Sequence, residues 1–390
     1  MRKAMALVLA SIMALSATAC SGGSTPAASS AAPAAAAPAS SEAASTAAAS
    51  SAAAGGNQKL HFEIVSKGFQ STYWQAVYKG STAELKALND KAGYEKYSMN
   101  FVGPDSESDV AVQVQEFTSA LNAKPNAIGL AALDTNALLD SIKSAQGNKI
   151  PIIGFDSGVP KAPEGAVLAN ASTDNYAAGK TAADGMYDKI KDKIKGKVRI
   201  GEVNQDATSE SITNRGLGFL DEMIAKLTAD GKKVFVTGNQ KYTGGCKGAN
   251  GTKDNADVII EVRVPAQTTT ELCATEAGVI LNEADTIAIF GSNQVAAEGV
   301  ITANETLQVC GEGKKITAVG FDSGKVLKAA IKAGTMYGSV TQAPVKIGAV
   351  LIDLLAASAD GQSVKNTDTG CAFYTKDNID KTEISQNLYD

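Results

Sequence analysis

The sequence predicts an α/β protein of two Rossmann-like lobes, each a parallel sheet covered by helices. Three observations carry that prediction. From Leu60 onward, short apolar runs alternate with longer amphipathic stretches, the pattern of βαβ units. The alternation comes in two series, and two sheets of this size form two lobes rather than one wide sheet. The pentapeptide Gly-Phe-Asp-Ser-Gly occurs once in each series, at 154–158 and at 320–324, both times directly after a buried-strand pattern. With 390 residues, 44% hydrophobic and 20% charged, the chain is long enough for both cores.

In order, the first series pairs Phe62–Val65 with the amphipathic stretch Tyr73–Leu88, Met99–Val102 with Val110–Leu121, and Ala127–Ala131 with Leu138–Ala145, and ends at Ile152–Phe155. The second runs Val198–Val203 then Ser209–Leu227, Val234–Thr237 and Val258–Val264 then Thr269–Leu281, Ile287–Phe290 then Val295–Ala303, and Thr317–Phe321 then Val326–Ala333. Runs this short and apolar suit strands buried on both faces.

The N-terminus reads as an address. Arg2 and Lys3 precede an apolar run from Ala4 to Leu15, too short to span a bilayer and therefore a secretory signal. The run ends Leu15-Ser-Ala-Thr-Ala-Cys20, which resembles the lipobox of bacterial lipoproteins and makes Cys20 the expected acylated residue; an ordinary cleaved signal peptide is the alternative. Residues 21–56 hold 17 Ala and 9 Ser with one charged residue, Glu42, and three prolines, so a disordered tether is expected. The expected location is outside the cytoplasm, on the outer face of the cytoplasmic membrane, or in the periplasm if the source has an outer membrane, with lipid as the only membrane contact.

Composition removes several function classes. The 36 Lys and Arg against 41 Asp and Glu give a net charge of −5, unsuited to sequence-neutral nucleic-acid binding. His61 is the only histidine and sits in an apolar strand pattern, which excludes Ser-His-Asp catalysis and histidine-rich metal sites. No metal and no cofactor are expected.

Ligands of parallel α/β sheets sit beyond the carboxyl ends of the strands, so Asp156 and Asp322 of the repeated pentapeptide project toward one cleft if the lobes face each other. For Asp322 the competing role is N-cap of the helix starting near Lys325. The Val159-Pro-Lys-Ala-Pro163 segment cannot begin a regular helix, so capping is a weaker alternative for Asp156.

From about Leu60 to the C-terminus the chain resembles the type I periplasmic binding proteins of sugar ABC importers, in particular the ribose-binding branch. The segments that carry the resemblance are Gln70-Ser-Thr-Tyr-Trp-Gln-Ala-Val-Tyr-Lys-Gly80, Ser172-Thr-Asp-Asn-Tyr-Ala-Ala-Gly179, Asn214-Arg-Gly-Leu-Gly-Phe219, Phe290-Gly-Ser-Asn-Gln294, Val319-Gly-Phe-Asp322 and Thr341-Gln-Ala-Pro344. The resemblance implies a hinged clamp with three connecting strands. It divides the chain into an N-terminal lobe of roughly 57–173 plus 343–369 and a C-terminal lobe of roughly 174–342 plus 370–390.

It also implies a ligand set. Asp156 would accept two adjacent sugar hydroxyls; Asp322 and Asn293 would do so from the other lobe, and Gln342 would reach in beside a hinge. For Asn293 a helix cap, and for Gln342 a solvated strand-end residue, are the alternatives. Tyr73 and Trp74 stand where the branch carries two aromatics, one to stack on the sugar ring and the other to pack in the core. Gln70 is a polar neighbour, and Gln267 replaces a further family aromatic. The family's ligand-contacting arginine aligns with Thr213, two residues before Arg215, so either residue is a candidate. Ser211, Asp206 and Asp134 are further candidates, Asp134 with capping as its competing role.

The four cysteines after Cys20 are Cys246, Cys273, Cys310 and Cys371. In an exported chain an even count favours two disulfides, with a zinc or redox site as the weaker alternative for want of any C-x-x-C pair. The lobe division puts all four in the C-terminal lobe, and the expected pairs are Cys246–Cys273 and Cys310–Cys371. Gly244-Gly-Cys-Lys-Gly-Ala-Asn-Gly251 reads as an exposed loop.

The expected function is that of a monomeric, lipid-anchored binding protein, not an enzyme, that captures a monosaccharide or polyol and delivers it to an ABC permease. A receptor presenting a sugar or autoinducer-type signal to a sensor shares the fold. A glycosidase is the enzymatic alternative. It is disfavoured because strand-end aspartates lined by amide donors would stay ionised and supply no proton donor of raised pKa.

Overall fold

A computed structural model describes residues 57–390. The signal segment, Cys20 and the Ala/Ser-rich stretch lie outside the described residues.

The first series folds as β1 (Leu60–Val65), α1 (Thr72–Ala92), β2 (Tyr97–Val102), α2 (Val110–Asn122), β3 (Ala127–Leu130), α3 (Leu139–Gly147), β4 (Ile152–Phe155) and β5 (Val167–Ser172). The second comprises α4 (Asn175–Ile190), β6 (Val198–Val203), α5 (Glu210–Ala229), β7 (Val234–Gly238), α6 (Gln240–Gly245), β8 (Val258–Arg263), α7 (Thr270–Leu281), β9 (Thr286–Gly291), α8 (Gln294–Leu307), β10 (Thr317–Phe321), α9 (Lys325–Lys332) and β11 (Gly338–Gln342). The chain closes with α10 (Pro344–Ala359), β12 (Thr367–Asp368), β13 (Cys371–Thr375) and α11 (Thr382–Ser385).

Two sheets result. The first has the order β2-β1-β3-β4-β5-β12, with every pairing parallel. The second has the order β7-β8-β6-β9-β10-β11-β13, parallel except for β13, which runs antiparallel to β11. Every residue of β3, β4, β9 and β10 is buried, which is why their sequences are continuous apolar runs rather than alternating ones. The chain passes between the sheets three times, at Thr173, at Ala343 and at Thr369–Gly370. In each sheet the strand order reverses beside the first strand of its series, between β1 and β3 and between β6 and β9. Those are the switch points where open α/β sheets take their ligands.

Helix α10 returns to the first sheet after β11 and packs across α1. Contact there is close enough that a Cβ on Gly80 would stand 1.9 Å from the Val345 carbonyl oxygen, and one on Gly348 2.0 Å from that of Val77. Helix α1 starts where the Ser71 hydroxyl accepts from the Trp74 amide at 3.4 Å, and this fixes the first turn that carries Tyr73 and Trp74. No helix among the described residues is long and apolar enough to cross a membrane.

The cysteine expectation is corrected: Cys246, Cys273, Cys310 and Cys371 are all free thiols. Cys246 and Cys371 pack against the core that α4 and α5 form on one face of the second sheet. Cys273 and Cys310 belong to the core under α7, α8 and α9 on the opposite face. Each expected pair therefore straddles the sheet, and a disulfide needs Cα atoms within about 7 Å. The stretch read as an exposed loop begins with the end of α6, and Cys246 anchors it to the core. Burial pushes the Cys273 and Cys310 thiols up to about 12, so both remain protonated.

Candidate functional site: a polar cleft between the two sheets

The carboxyl ends of the two sheets face one another across a cavity of about 300 Å³, at the small end of ligand sites and suited to a molecule of monosaccharide size. The first sheet and α1 supply Lys67, Gln70, Tyr73, Trp74, Glu107 and Asp156 to its walls; the second supplies Gln205, Ser211, Arg215, Asn293, Asp322 and Gln342.

The repeated pentapeptides meet here. Asp156 follows the last residue of β4 and Asp322 the last of β10, and both adopt the left-handed backbone region, with φ of 54° and 72°. Asp is among the few residues that tolerate that region, which turns the chain sharply off each strand. Both side chains are nearly sequestered, at 4% and 5% exposed. Asp156 Oδ1 accepts the Tyr73 hydroxyl proton at 2.5 Å. Asp322 Oδ1 accepts from Gln342 Nε2 at 2.8 Å, and its Oδ2 accepts from the Gln294 amide at 3.2 Å. Asp322 does not cap the helix that follows it; Gly324 holds that position.

Arg215 projects from α5 into the base of the cleft and is 2% exposed. It donates to the Ser292 carbonyl at 2.8 Å and to Asn175 Oδ1 at 2.7 Å, and its Cζ lies over the Phe321 ring, 3.6 Å from the centroid. Its Nη1 stands 3.8 Å from Asp322 Oδ2. Thr213, two positions earlier on the helix, turns toward Tyr242 and does not line the cavity. Asn293 caps α8, its Oδ1 accepting from the Ala296 amide at 3.1 Å, while its amide group donates to Gln205 Oε1. The helix-cap role is thus observed, and the side chain also lines the cavity. Gln342 is 2% exposed, and its Oε1 is buried with no hydrogen-bond partner.

Tyr73 and Trp74 both line the cavity and meet edge to face at 5.1 Å, with Trp74 against Phe155 at 6.0 Å. Gln70 sits exposed at the mouth and donates to Asp105 at 3.2 Å. Gln267 is exposed in the loop between β8 and α7 and does not reach the cavity. Asp134 and Asp206 accept from backbone amides of their own loops, Asp134 from Asn136 at 2.7 Å and Asp206 from Ser209 at 2.9 Å. Ser211, named as a lesser candidate, faces Lys67 at 3.4 Å.

The sequence reading missed the Lys67–Glu107–Gln205 bridge. Lys67 Nζ lies 3.7 Å from Glu107 Oε2; Glu107 also accepts from Trp74 Nε1 at 2.8 Å and from Gln205 Nε2 at 2.9 Å. Each residue stands alone in a strand-end loop, and only the meeting of the two sheets unites them. The signal that could have found Lys67 is a cation directly after an apolar strand, where a buried charge needs partners.

The electrostatics follow from burial. Desolvation pushes the Asp156 carboxyl upward against the opposing pull of Lys67, and the Asp322 carboxyl upward against Arg215. The expectation that these aspartates lack any upward push is corrected on that point. Burial works against the Lys67 charge, yet Glu107, Asp156 and Asp206 outweigh it and hold the ammonium above its usual value. Among the described residues no group of three His, Cys, Asp or Glu side chains is placed to hold a metal.

A family model described as periplasmic binding protein domain matches residues 62–363. A ribose import binding protein of Haemophilus influenzae is 25% identical over 269 residues, 69% of this chain and 75% of that one. Among solved structures, one titled as an ABC transporter, LacI family transcriptional regulator from Brachyspira murdochii is 32% identical, with a TM-score of 0.68 over 85% of this chain and 99% of that one. A solute-binding protein of an ABC transporter from Agrobacterium vitis with bound D-fucose is 28% identical, with a TM-score of 0.68 over 84% and 100%. With two parallel sheets, three crossings between them and a family match over most of its length, this chain belongs to the periplasmic binding proteins.

Proposed function

We propose that this protein captures a monosaccharide or closely related polyol between its two sheets and delivers it to an ABC importer. The observation that carries the reading is the pair of buried, left-handed aspartates, one from each sheet, lining a single cavity of about 300 Å³. A sugar in water has every hydroxyl hydrogen-bonded, so a site must replace each of those bonds. Bonds to ionised groups contribute about 1.5–3 kcal/mol against about 1 kcal/mol for neutral pairs, which favours carboxylates as acceptors. Asp156, Asp322, Asn293 and Gln342 are the hydroxyl partners in this reading, and Gln342 Oε1 is an acceptor already desolvated and waiting for a donor. Tyr73 and Trp74 supply the apolar wall for the ring. Arg215 orients Asp322 rather than leading the ligand contacts, because three of its five N–H groups are engaged by Ser292 and Asn175 and its Nη1 stands beside Asp322.

The named relatives point the same way, one toward ribose and one toward D-fucose. The lobes are those of 57–173 plus 343–369 and 174–342 plus 370–390, acting as one monomeric clamp. Lipid on Cys20 and the Ala/Ser-rich stretch would hold that clamp at the membrane near its permease.

A thermal-shift screen of pentoses, hexoses and polyols tests the reading. A ligand at 100 times its dissociation constant stabilises by about 2.7 kcal/mol, enough to move the melting temperature by degrees. A flat response across all three classes would overturn it.

A further inference from the structure

The charged side chains lining the cleft do not balance: Lys67 and Arg215 face Glu107, Asp156, Glu298 and Asp322. Distances assign the two cations, Lys67 to Glu107 at 3.7 Å and Arg215 to Asp322 at 3.8 Å. Asp156 lies within the field of both cations and accepts a hydrogen bond from the Tyr73 hydroxyl. Glu298, one turn into α8, has no cation among its neighbours in the described residues, and its one side-chain partner is Gln294 Nε2 at 2.9 Å.

Hydrogen-bond stoichiometry points the same way. Arg215 directs three of its five N–H groups to Ser292 and Asn175, Gln342 Nε2 donates to Asp322, and Lys67 is turned toward Ser211 and Glu107. The cleft's acceptors are in surplus, with Gln342 Oε1 buried and unpartnered. A hydroxyl brings an acceptor with each donor, whereas a protonated amine brings three donors and no acceptor. A carboxylated or phosphorylated sugar would meet surplus negative charge.

We propose that the ligand is an amino sugar or amino polyol whose ammonium pairs with Glu298. The inference rests on the monosaccharide reading above and narrows it. Burial pushes the Glu298 carboxyl upward, a penalty that an adjacent ammonium would remove.

The test is calorimetric titration of the purified protein at pH 6.5, where the amines are protonated. D-Glucosamine, D-galactosamine and 2-amino-2-deoxy-D-ribose are each compared with the parent sugar, and N-acetyl-D-glucosamine serves as the uncharged control. At least one amine is expected to bind about tenfold or more tightly than its parent, equivalent to about 1.4 kcal/mol. Glu298→Gln should collapse that ratio. Parents that bind as tightly as their amines would overturn the inference and leave monosaccharide capture standing. A preference that survives in Glu298→Gln would overturn the assignment to Glu298. If no amine and no parent binds while another pentose, hexose or polyol of the thermal-shift screen does, the inference falls and monosaccharide capture stands; a flat screen overturns both.

Discussion

Asp322 illustrates how far a single residue can be read. Its place after an apolar strand, in a pentapeptide shared with Asp156, was visible in the sequence, as was the competing role of helix cap. Its partners were not: the Gln294 amide and the Gln342 side chain reach it from other elements, and the left-handed backbone aims it inward. Thr213 and Arg215 were separable only in part, because helical periodicity says that they face apart but not which one faces the cleft. Glu202 was not singled out at all. It is fully buried at the end of β6, and burial pushes its carboxyl to about 8 against the pull of its bond from Asn204. The folded protein thus holds a proton up to about pH 8 that the unfolded chain releases near pH ~4.3. This contribution to stability is complete below the lower value and is lost as pH rises through the higher one. Glu202→Gln, which mimics the protonated form, should be more stable than wild type at pH 9, by ~1 kcal/mol or more, with the gap in melting temperature closing toward pH 5. A gap that does not change with pH would contradict this account.

At the scale of elements, the strands with continuous apolar runs were legible, and so were the helices between them. Strand β5, Val-Leu-Ala-Asn-Ala-Ser, buries only Ala169 and Ala171, and β11, Gly-Ser-Val-Thr-Gln, holds a single apolar side chain, so neither stood out as a buried apolar run. Their neighbourhood was marked only by family resemblance. Helix α10 escaped the periodic pattern for the opposite reason: apolar side chains cover most of its circumference, so it shows no polar face. The cysteine pairing failed because loop reach was judged along the chain, while the sheet stands between the members of each pair. The α1–α10 contact gives a direct test. Gly80→Ala places a methyl group 1.9 Å from the Val345 carbonyl oxygen, so the helices must separate. The expected loss is about 1–3 kcal/mol of stability, read by chemical denaturation. An unchanged midpoint would contradict a close-packed α1–α10 crossing.

For the whole molecule, the two sheets and their helices meet through polar bonds beside the cleft. Glu210 Oε2, at the start of α5, accepts from the Gly158 amide beyond β4 at 2.6 Å. The Thr268 amide donates to Ser108 Oγ at 2.7 Å, and Gln205 reaches Glu107. These bonds join the two sheets across the cleft, and in the proposed clamp they favour closure whether or not they touch ligand. Glu210 does not line the cavity, so Glu210→Ala should weaken sugar affinity roughly 5- to 10-fold by depopulating the closed state, leaving the folded core intact. Calorimetry for affinity and circular dichroism for fold would check this, and unchanged affinity would show that closure does not depend on that bond.

The central claim is that Asp156 and Asp322 hold the sugar rather than the fold, and calorimetric titration of Asp156→Ala and Asp322→Ala with the best sugar of the screen tests it most directly, with melting temperatures recorded on the same samples. Removing either carboxylate leaves bound hydroxyls unpaired in a desolvated cleft, a predicted loss of about 1–3 kcal/mol, or roughly 5- to 150-fold in affinity. Melting of the sugar-free variants should fall only modestly: the bonds from Tyr73, Gln294 and Gln342 are lost, but so is the desolvation penalty on each buried carboxylate. Normal affinity with a lowered melting temperature in both variants would contradict the account.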